Sequence, residues 1–226
     1  MAQIDTFDAV LFDMDGVVID STPLHRRVWA EFARMHGRYL TDAEIRATDG
    51  RRAVDVVREL FGERLEDTKV AALANEREDL YRNQLKTGPV EAIAGVKLFL
   101  KALGDAHIPR VLATSASQGN IDLALERLRL ESGFNVVVTA EHVRKGKPDP
   151  EVYLTAAQRV HADPKHCLVV EDAIPGVQAA KAAGAYCLGL STSQSEAALI
   201  EAGADWVAPD FLALPEALRG WLSSIS

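Results

Sequence analysis

Ala9-Val10-Leu11-Phe12-Asp13-Met14-Asp15-Gly16-Val17-Val18 joins a short apolar run to a pair of carboxylates at i and i+2. Side chains alternate between the faces of a strand, so Asp13 and Asp15 leave the C-terminal end of such a strand on one side. Gly16 lets the backbone turn sharply where a side chain would obstruct it. Two carboxylates aimed at one point repel by roughly 4 kcal/mol at about 4 Å and an effective dielectric near 20. A divalent cation would relieve that repulsion. An Asp-Gly turn is also favoured for purely local reasons, so the weight of this reading depends on what the rest of the chain supplies.

Working outward, further apolar runs occur at Arg110–Ala113, Val136–Thr139, Leu168–Val170, Tyr186–Leu190 and Trp206–Ala208. Most are near-continuous rather than alternating, as expected of strands covered on both faces. Segments with helical spacing lie between them, at Val96–Ala106, Ile121–Leu130, Val152–Val160, Val177–Ala183 and Glu196–Ala202. Strand and helix in alternation predict a doubly wound, Rossmann-like α/β core with a parallel sheet. From Asp20 to Thr87 the rhythm changes to helical pattern alone: Pro23–His36, Asp42–Arg46, Ala53–Phe61 and Thr68–Leu85. Ser21 or Thr22 is the expected N-cap of the first, with Pro23 just inside and Gly37 as its stop. The expected organisation is therefore a core of residues 1–19 and 88–226, interrupted by an all-α-helical cap of residues 20–87.

Ligands of open α/β sheets bind beyond the carboxyl ends of the strands, and four predicted strand ends carry polar groups. They are Asp13 and Asp15; Thr114-Ser115-Ala116-Ser117; Lys145-Gly146-Lys147-Pro148-Asp149-Pro150; and Glu171-Asp172. A hydroxyl such as Ser115, followed by the amides of a helix start, can hold phosphoryl oxygens, although a helix-capping role would use the same residue. Pro148 biases Lys147 toward an extended conformation, and Asp149-Pro150 begins a new helix, which fixes the lysine on a stiff loop. Adjacent acids at Glu171-Asp172 suit Mg²⁺, which takes oxygen ligands and shares its shell with a substrate phosphate. Together these residues suit phosphoryl transfer. Asp13 would attack phosphorus, and Asp15 would protonate the leaving oxygen and then deprotonate water. Lys147, Ser115 and the metal would stabilise charge on the equatorial oxygens.

Composition narrows the alternatives. At 226 residues the chain can bury a full core, and a net charge of −8 argues against a nucleic-acid or membrane-surface role. Cys167 and Cys187 lie in strand-like apolar runs, so they read as reduced core residues. No stretch approaches the roughly 18 apolar residues of a membrane span, and no leader pattern opens the sequence. A cytoplasmic protein acting on a small molecule is the expectation.

Asp13-x-Asp15-Gly16-Val17-x-x-Asp20-Ser21, then Ser115, then Lys147-Pro148, then Glu171-Asp172, in this order and spacing, resemble the haloacid dehalogenase superfamily. The helical insertion resembles that superfamily's small α-helical cap, and the linear run resembles its β-phosphoglucomutase and sugar-phosphatase branch. The resemblance implies a mobile cap and a Mg²⁺ ion held by the Asp13 carboxylate, the Asp15 backbone carbonyl and Asp172, with Glu171 assisting. It puts the second-motif hydroxyl on Ser115, with Thr114 one residue away. Dehalogenases lack the second acid, so Asp15 favours phosphate chemistry. Phosphonoacetaldehyde hydrolases use a cap lysine, and none lies between Asp15 and Phe61. His25 and Trp29 resemble the first cap helix of the mutases, although i, i+4 packing would place them equally well. A mutase pattern has a lysine before and an arginine three residues after a cap glycine. At Gly50 the matching positions are Asp49 and Ala53, with Arg51 and Arg52 nearby. Arg52 resembles the arginine of sugar phosphatases. The resemblance thus implies a Mg²⁺-dependent phosphatase of a sugar or sugar-alcohol monophosphate, a phosphosugar mutase being the alternative, with His25, Trp29, Arg51 and Arg52 reading the substrate.

Overall fold

The computed structural model describes residues 6–62 and 64–225. Strands β1 (Ala9–Phe12), β2 (Arg110–Ala113), β3 (Val136–Val138), β4 (Cys167–Glu171), β5 (Tyr186–Leu190) and β6 (Trp206–Ala208) form one sheet in the order β3-β2-β1-β4-β5-β6. Every pairing is parallel, as the apolar runs predict. The winding direction reverses between β1 and β4, which makes their carboxyl ends the topological switch point.

Side-chain alternation along β1 divides the core. Val10 and Phe12 join the cluster of Phe99, Leu112, Leu168 and Phe211 on one face, whereas Ala9 and Leu11 join Val111, Tyr153 and Val169 on the other. Both faces are closed by helices α5 (Val96–Asp105), α6 (Gln118–Leu128), α7 (Glu151–Arg159), α8 (Ile174–Ala182), α9 (Glu196–Glu201) and α10 (Glu216–Ser224). The sequence reading had no helix at α10; burial of Leu218 and Trp221 holds it there.

Helices α1 (Thr22–Met35), α2 (Asp42–Arg46), α3 (Ala53–Phe61) and α4 (Asp67–Thr87) make up the insertion. It has an apolar cluster of its own, including Trp29, Phe32, Val56, Val57, Leu60 and Leu73. The entering and leaving strands are stitched together: the Asp20 amide donates to the Glu91 carbonyl at 2.9 Å and the Ile93 amide to Val18 at 3.1 Å. Among the described residues no helix is long and apolar enough to cross a membrane.

Three local differences from the sequence reading bear on the site. β3 stops at Val138, because the Thr139 hydroxyl accepts the Glu141 amide at 3.2 Å and caps a short 3-10 turn instead of continuing the strand. β4 runs on through Glu171, so this acid belongs to the strand rather than to the loop beyond it. Ser21 does stand at the N-cap position of α1, but its side chain makes no capping bond. It donates instead to Asp15 Oδ1.

Candidate active site

The four strand ends converge. Asp13, 3 % exposed, follows β1, and its amide bonds Val170 of β4 at 3.0 Å. Lys147 reaches in from the loop before α7, with Nζ 3.1 Å from Asp13 Oδ1 and 2.6 Å from Glu171 Oε1. Burial and the neighbouring acids Glu171 and Asp15 push the Asp13 carboxyl up to about 7, against the downward pull of Lys147. Burial disfavours the charged lysine, yet Asp13 and Glu171 outweigh it and hold Lys147 above its ordinary value. The lysine is thus a fixed cation beside Asp13.

Glu171 is saturated with donors. Its Oε1 accepts from Lys147 and from Tyr153 OH at 2.5 Å, and its Oε2 accepts the amides of Asp172 at 3.0 Å and Ala173 at 3.2 Å. Gly176 on the first turn of α8 allows this approach, because a Cβ there would fall 1.8 Å from Glu171 Oε1. Asp172, by contrast, is held through its backbone: its carbonyl accepts Ser193 Oγ at 2.7 Å. Its carboxylate meets the distant Thr192 hydroxyl at 3.4 Å. Burial, then Glu171 and Asp13, raise the Asp172 carboxyl well above the usual range.

Asp13, Glu171 and Asp172 each place an oxygen within 4.8 Å of the others. The donor set fits a hard divalent cation: it is all oxygen, buried and short of positive charge. Asp13 Oδ1 has only its ion-pair contact with Lys147. Gly16 (φ +75°) keeps the backbone against the cluster, since a Cβ there would lie 1.8 Å from Asp172 Oδ2. Within this cluster the Glu171 oxygens already accept four donors, whereas Asp13 and Asp172 have fewer competing donors among the described residues.

Asp15 faces the insertion. His25 Nε2 of α1 lies 2.9 Å from Asp15 Oδ1, and Arg77 Nη2 of α4 is 2.6 Å from His25 Nδ1. A guanidinium only donates, so His25 Nδ1 is the accepting nitrogen of that contact, while Nε2 stands close to Asp15 without hydrogen-bond geometry. Tyr81 stacks on the imidazole at 4.0 Å between centroids. Burial works to raise the Asp15 carboxyl, but His25, the Ser21 hydrogen bond and Arg77 outweigh it and hold the group below its ordinary value.

A cavity over these groups is lined from the core by Asp13, Asp15, Ser115, Asn120 and Asp172, and from the insertion by His25, Trp29, Asp49, Arg51, Arg77 and Glu78. Thr114 turns inward, its hydroxyl accepting the Ala116 amide at 3.2 Å, while Ser115 Oγ donates to the Gly50 carbonyl at 2.9 Å. Trp29 and Arg51 line the space as the sequence suggested, with Arg77 4.6 Å over the Trp29 ring and Arg51 paired to Glu59 at 2.7 Å. Arg52 does not line it: its fork is held by Asp55, at 2.7 and 2.9 Å.

Arg77, Glu78, Tyr81 and Asn120 escaped the sequence reading. The first three lie on α4, where charged residues read as a solvated face, and their partners are up to 66 positions away. Thr192 and Ser193 were within reach, since they follow β5 at a strand end like the others.

The fold is a parallel α/β sheet with an acidic centre at its switch point and a helical insertion facing it. A family model described as haloacid dehalogenase-like hydrolase matches residues 7–184, and the chain belongs to that family. It is 34 % identical over 203 residues to validoxylamine A 7'-phosphate phosphatase of Streptomyces hygroscopicus subsp. limoneus, covering 87 % of this chain and 91 % of the relative. It is 34 % identical over 184 residues to hexitol phosphatase A of Escherichia coli, covering 80 % and 82 %. A crystal structure of a HAD hydrolase of family IA, variant 3, from Entamoeba histolytica superposes with a TM-score of 0.83 at 28 % identity, covering 96 % and 98 % of the two chains.

Proposed function

We propose that the chain is a Mg²⁺-dependent phosphatase that hydrolyses a small sugar or sugar-alcohol monophosphate through a phosphoryl group carried on Asp13, the insertion serving as its cap. Membership of the hydrolase family and the phosphatase relatives support hydrolysis of a phosphoric monoester. The observation that carries the assignment of roles is the placement of Asp13 between the fixed Lys147 cation and Asp172 at the switch point.

Asp13 attacks phosphorus and the ester oxygen leaves as an alcohol, taking its proton from Asp15, whose carboxyl, held low in the free site, gains that proton when the negative charge of the substrate phosphate lies beside it. Water then attacks the phosphoryl group, with Asp15 accepting its proton, and frees Asp13 and inorganic phosphate. Lys147 and the Ser115 hydroxyl meet the charge on the non-bridging oxygens. Asp13 and Asp172, with the Asp15 carbonyl, would hold Mg²⁺, which when bound neutralises charge on the phosphoryl oxygens.

Recognition of the leaving group falls to buried polar atoms that the fold leaves unspent. Asn120 Oδ1 and Arg77 Nε are buried with no hydrogen-bond partner among the described residues, and both residues line the cavity. One accepts and the other donates, as the hydroxyls of a polyol require. The mutase alternative needs free cations for a second phosphate. Here Arg51 is paired with Glu59 and Arg77 with Glu78, so neither arginine of the lining is a free cation.

A panel of monophosphates tests this reading. With Mg²⁺ the wild type should release inorganic phosphate from hexitol and hexose phosphates, and Asp13→Asn should not. Faster interconversion of hexose 1- and 6-phosphates than release of phosphate would establish the mutase instead.

A further inference from the structure

Arg52 is the one cap candidate that the fold directs away from the cavity. It immediately precedes α3, so Asp55 one helical turn on shares its face. Asp55 takes Nε at 2.7 Å and Nη2 at 2.9 Å, and this bidentate pairing fixes the plane of the guanidinium. The remaining arm crosses to the core: Nη1 donates to the Arg144 carbonyl at 3.0 Å and reaches the Val143 carbonyl at 3.4 Å. These carbonyls belong to the loop that delivers Lys147.

That loop is held from both sides. On its core side Glu151 of α7 accepts the amides of Arg144 at 3.1 Å and Lys145 at 2.9 Å. On its other side, toward the insertion, Arg52 takes the carbonyls. The contact is close: a Cβ at Gly146 would fall 2.6 Å from Asp55 Oδ2 and 2.7 Å from Arg52 Nε, so a side chain there would push the paired Arg52 and Asp55 side chains aside. Lys147 follows directly, with Nζ buried between Asp13 and Glu171.

We infer that Arg52 is a positioning residue: clamped by Asp55, it ties the helical insertion to the Val143–Gly146 segment, so that closing the insertion sets the loop from which Lys147 reaches the phosphoryl site. The inference rests on the role given to Lys147 above, and it replaces a substrate-reading role for Arg52. A group that acts this way changes turnover rather than discrimination between substrates.

The test compares wild type with Arg52→Ala, Arg52→Lys and Gly146→Ala, using p-nitrophenyl phosphate and a hexitol phosphate with Mg²⁺. Thermal melting is used to confirm that each variant folds. Arg52→Ala and Gly146→Ala should each lose up to about 100-fold in kcat on both substrates, as a small misplacement of a catalytic group does, with KM changed by less than about twofold. Arg52→Lys, which keeps the charge without the fork, should recover part of the loss. A selective rise in KM for the hexitol phosphate with kcat preserved, or wild-type kcat in both Arg52→Ala and Gly146→Ala, would overturn the inference. Amide hydrogen exchange gives a readout that needs no turnover. With Mg²⁺ and inorganic phosphate present, amides 143–147 should exchange faster in Arg52→Ala than in wild type, and equal protection would also overturn it. A wild type that hydrolyses neither substrate would count against the phosphatase reading, leaving the exchange comparison to decide the role of Arg52.

Discussion

His25 Nε2 stands 2.9 Å from Asp15 Oδ1, joining a residue of the helical insertion to the second acid of the first strand's end. The same imidazole receives Arg77 on its other nitrogen, so a chain of contacts runs from α4 to the Asp15 carboxylate, the proposed acid and base. Because His25 and Arg77 help hold the Asp15 carboxyl low while burial pushes it up, removing either should let it rise. In His25→Ala, the Asp15 titration followed by the carbon-13 shift of its carboxyl should move to higher pH than in wild type. An unchanged midpoint would show that the contact has no electrostatic consequence.

The Glu171 carboxylate, buried completely, is the anchor of Lys147. Glu171→Gln keeps the shape but leaves the lysine with Asp13 alone, and breaking a buried pair in this way costs about 3–5 kcal/mol. Tyr153→Phe removes one hydrogen bond to the same oxygen and should cost about 1.5–3 kcal/mol. Denaturant unfolding of both variants and of the double variant should show less than additive loss; full additivity would mean that the two side chains do not act on one network.

Burial and mutual repulsion raise both Asp13, to about 7, and Asp172. An acid whose folded value exceeds its unfolded value binds more protons when folded, so it stabilises the fold at low pH and destabilises it as pH rises through the folded value. In a chelator, melting temperature should therefore fall between pH 5 and pH 8 on account of this pair. Asp172→Asn should flatten the slope. Added Mg²⁺ should raise the melting temperature more at pH 8 than at pH 5, because the carboxylates bind it in their deprotonated form. A slope unaltered by either change would remove the cluster from the pH response.

Asn120 donates to Glu78 across the boundary between core and insertion, and its Oδ1 is left without a partner. If that oxygen accepts a substrate hydroxyl, Asn120→Ala should lower kcat/KM for a hexitol phosphate by roughly 5- to 10-fold, equivalent to about 1–1.5 kcal/mol. p-Nitrophenyl phosphate, which has no such hydroxyl, should be affected much less. Equal losses on the two substrates would assign Asn120 to holding α6 against α4.

The sheet and the strand-end residues were legible in the sequence because both follow local rules. Buried parallel strands read as apolar runs, and polar groups at their ends stand out against them. Glu171 shows where this stops: its position was visible, but its saturation by Lys147, Tyr153 and two amides depends on how α7 and α8 pack. Arg52 shows the same limit, since its resemblance to the arginine of sugar phosphatases suggested the cavity whereas Asp55 one turn later turns it onto the core loop. Arg77 and Asn120 carried no local signal, because their roles arise only when α4 is laid across α6 and the end of β1.

The central claim is that Asp13 carries the phosphoryl group. Mixing enzyme with a turned-over monophosphate and Mg²⁺, quenching in acid within a few turnovers and mapping the peptides by mass spectrometry tests it directly. A phosphoryl increment on the peptide bearing Asp13, lost in Asp13→Asn and removed by alkali as an acyl phosphate should be, is the expected result. Phosphate release by Asp13→Asn at the wild-type rate would contradict it.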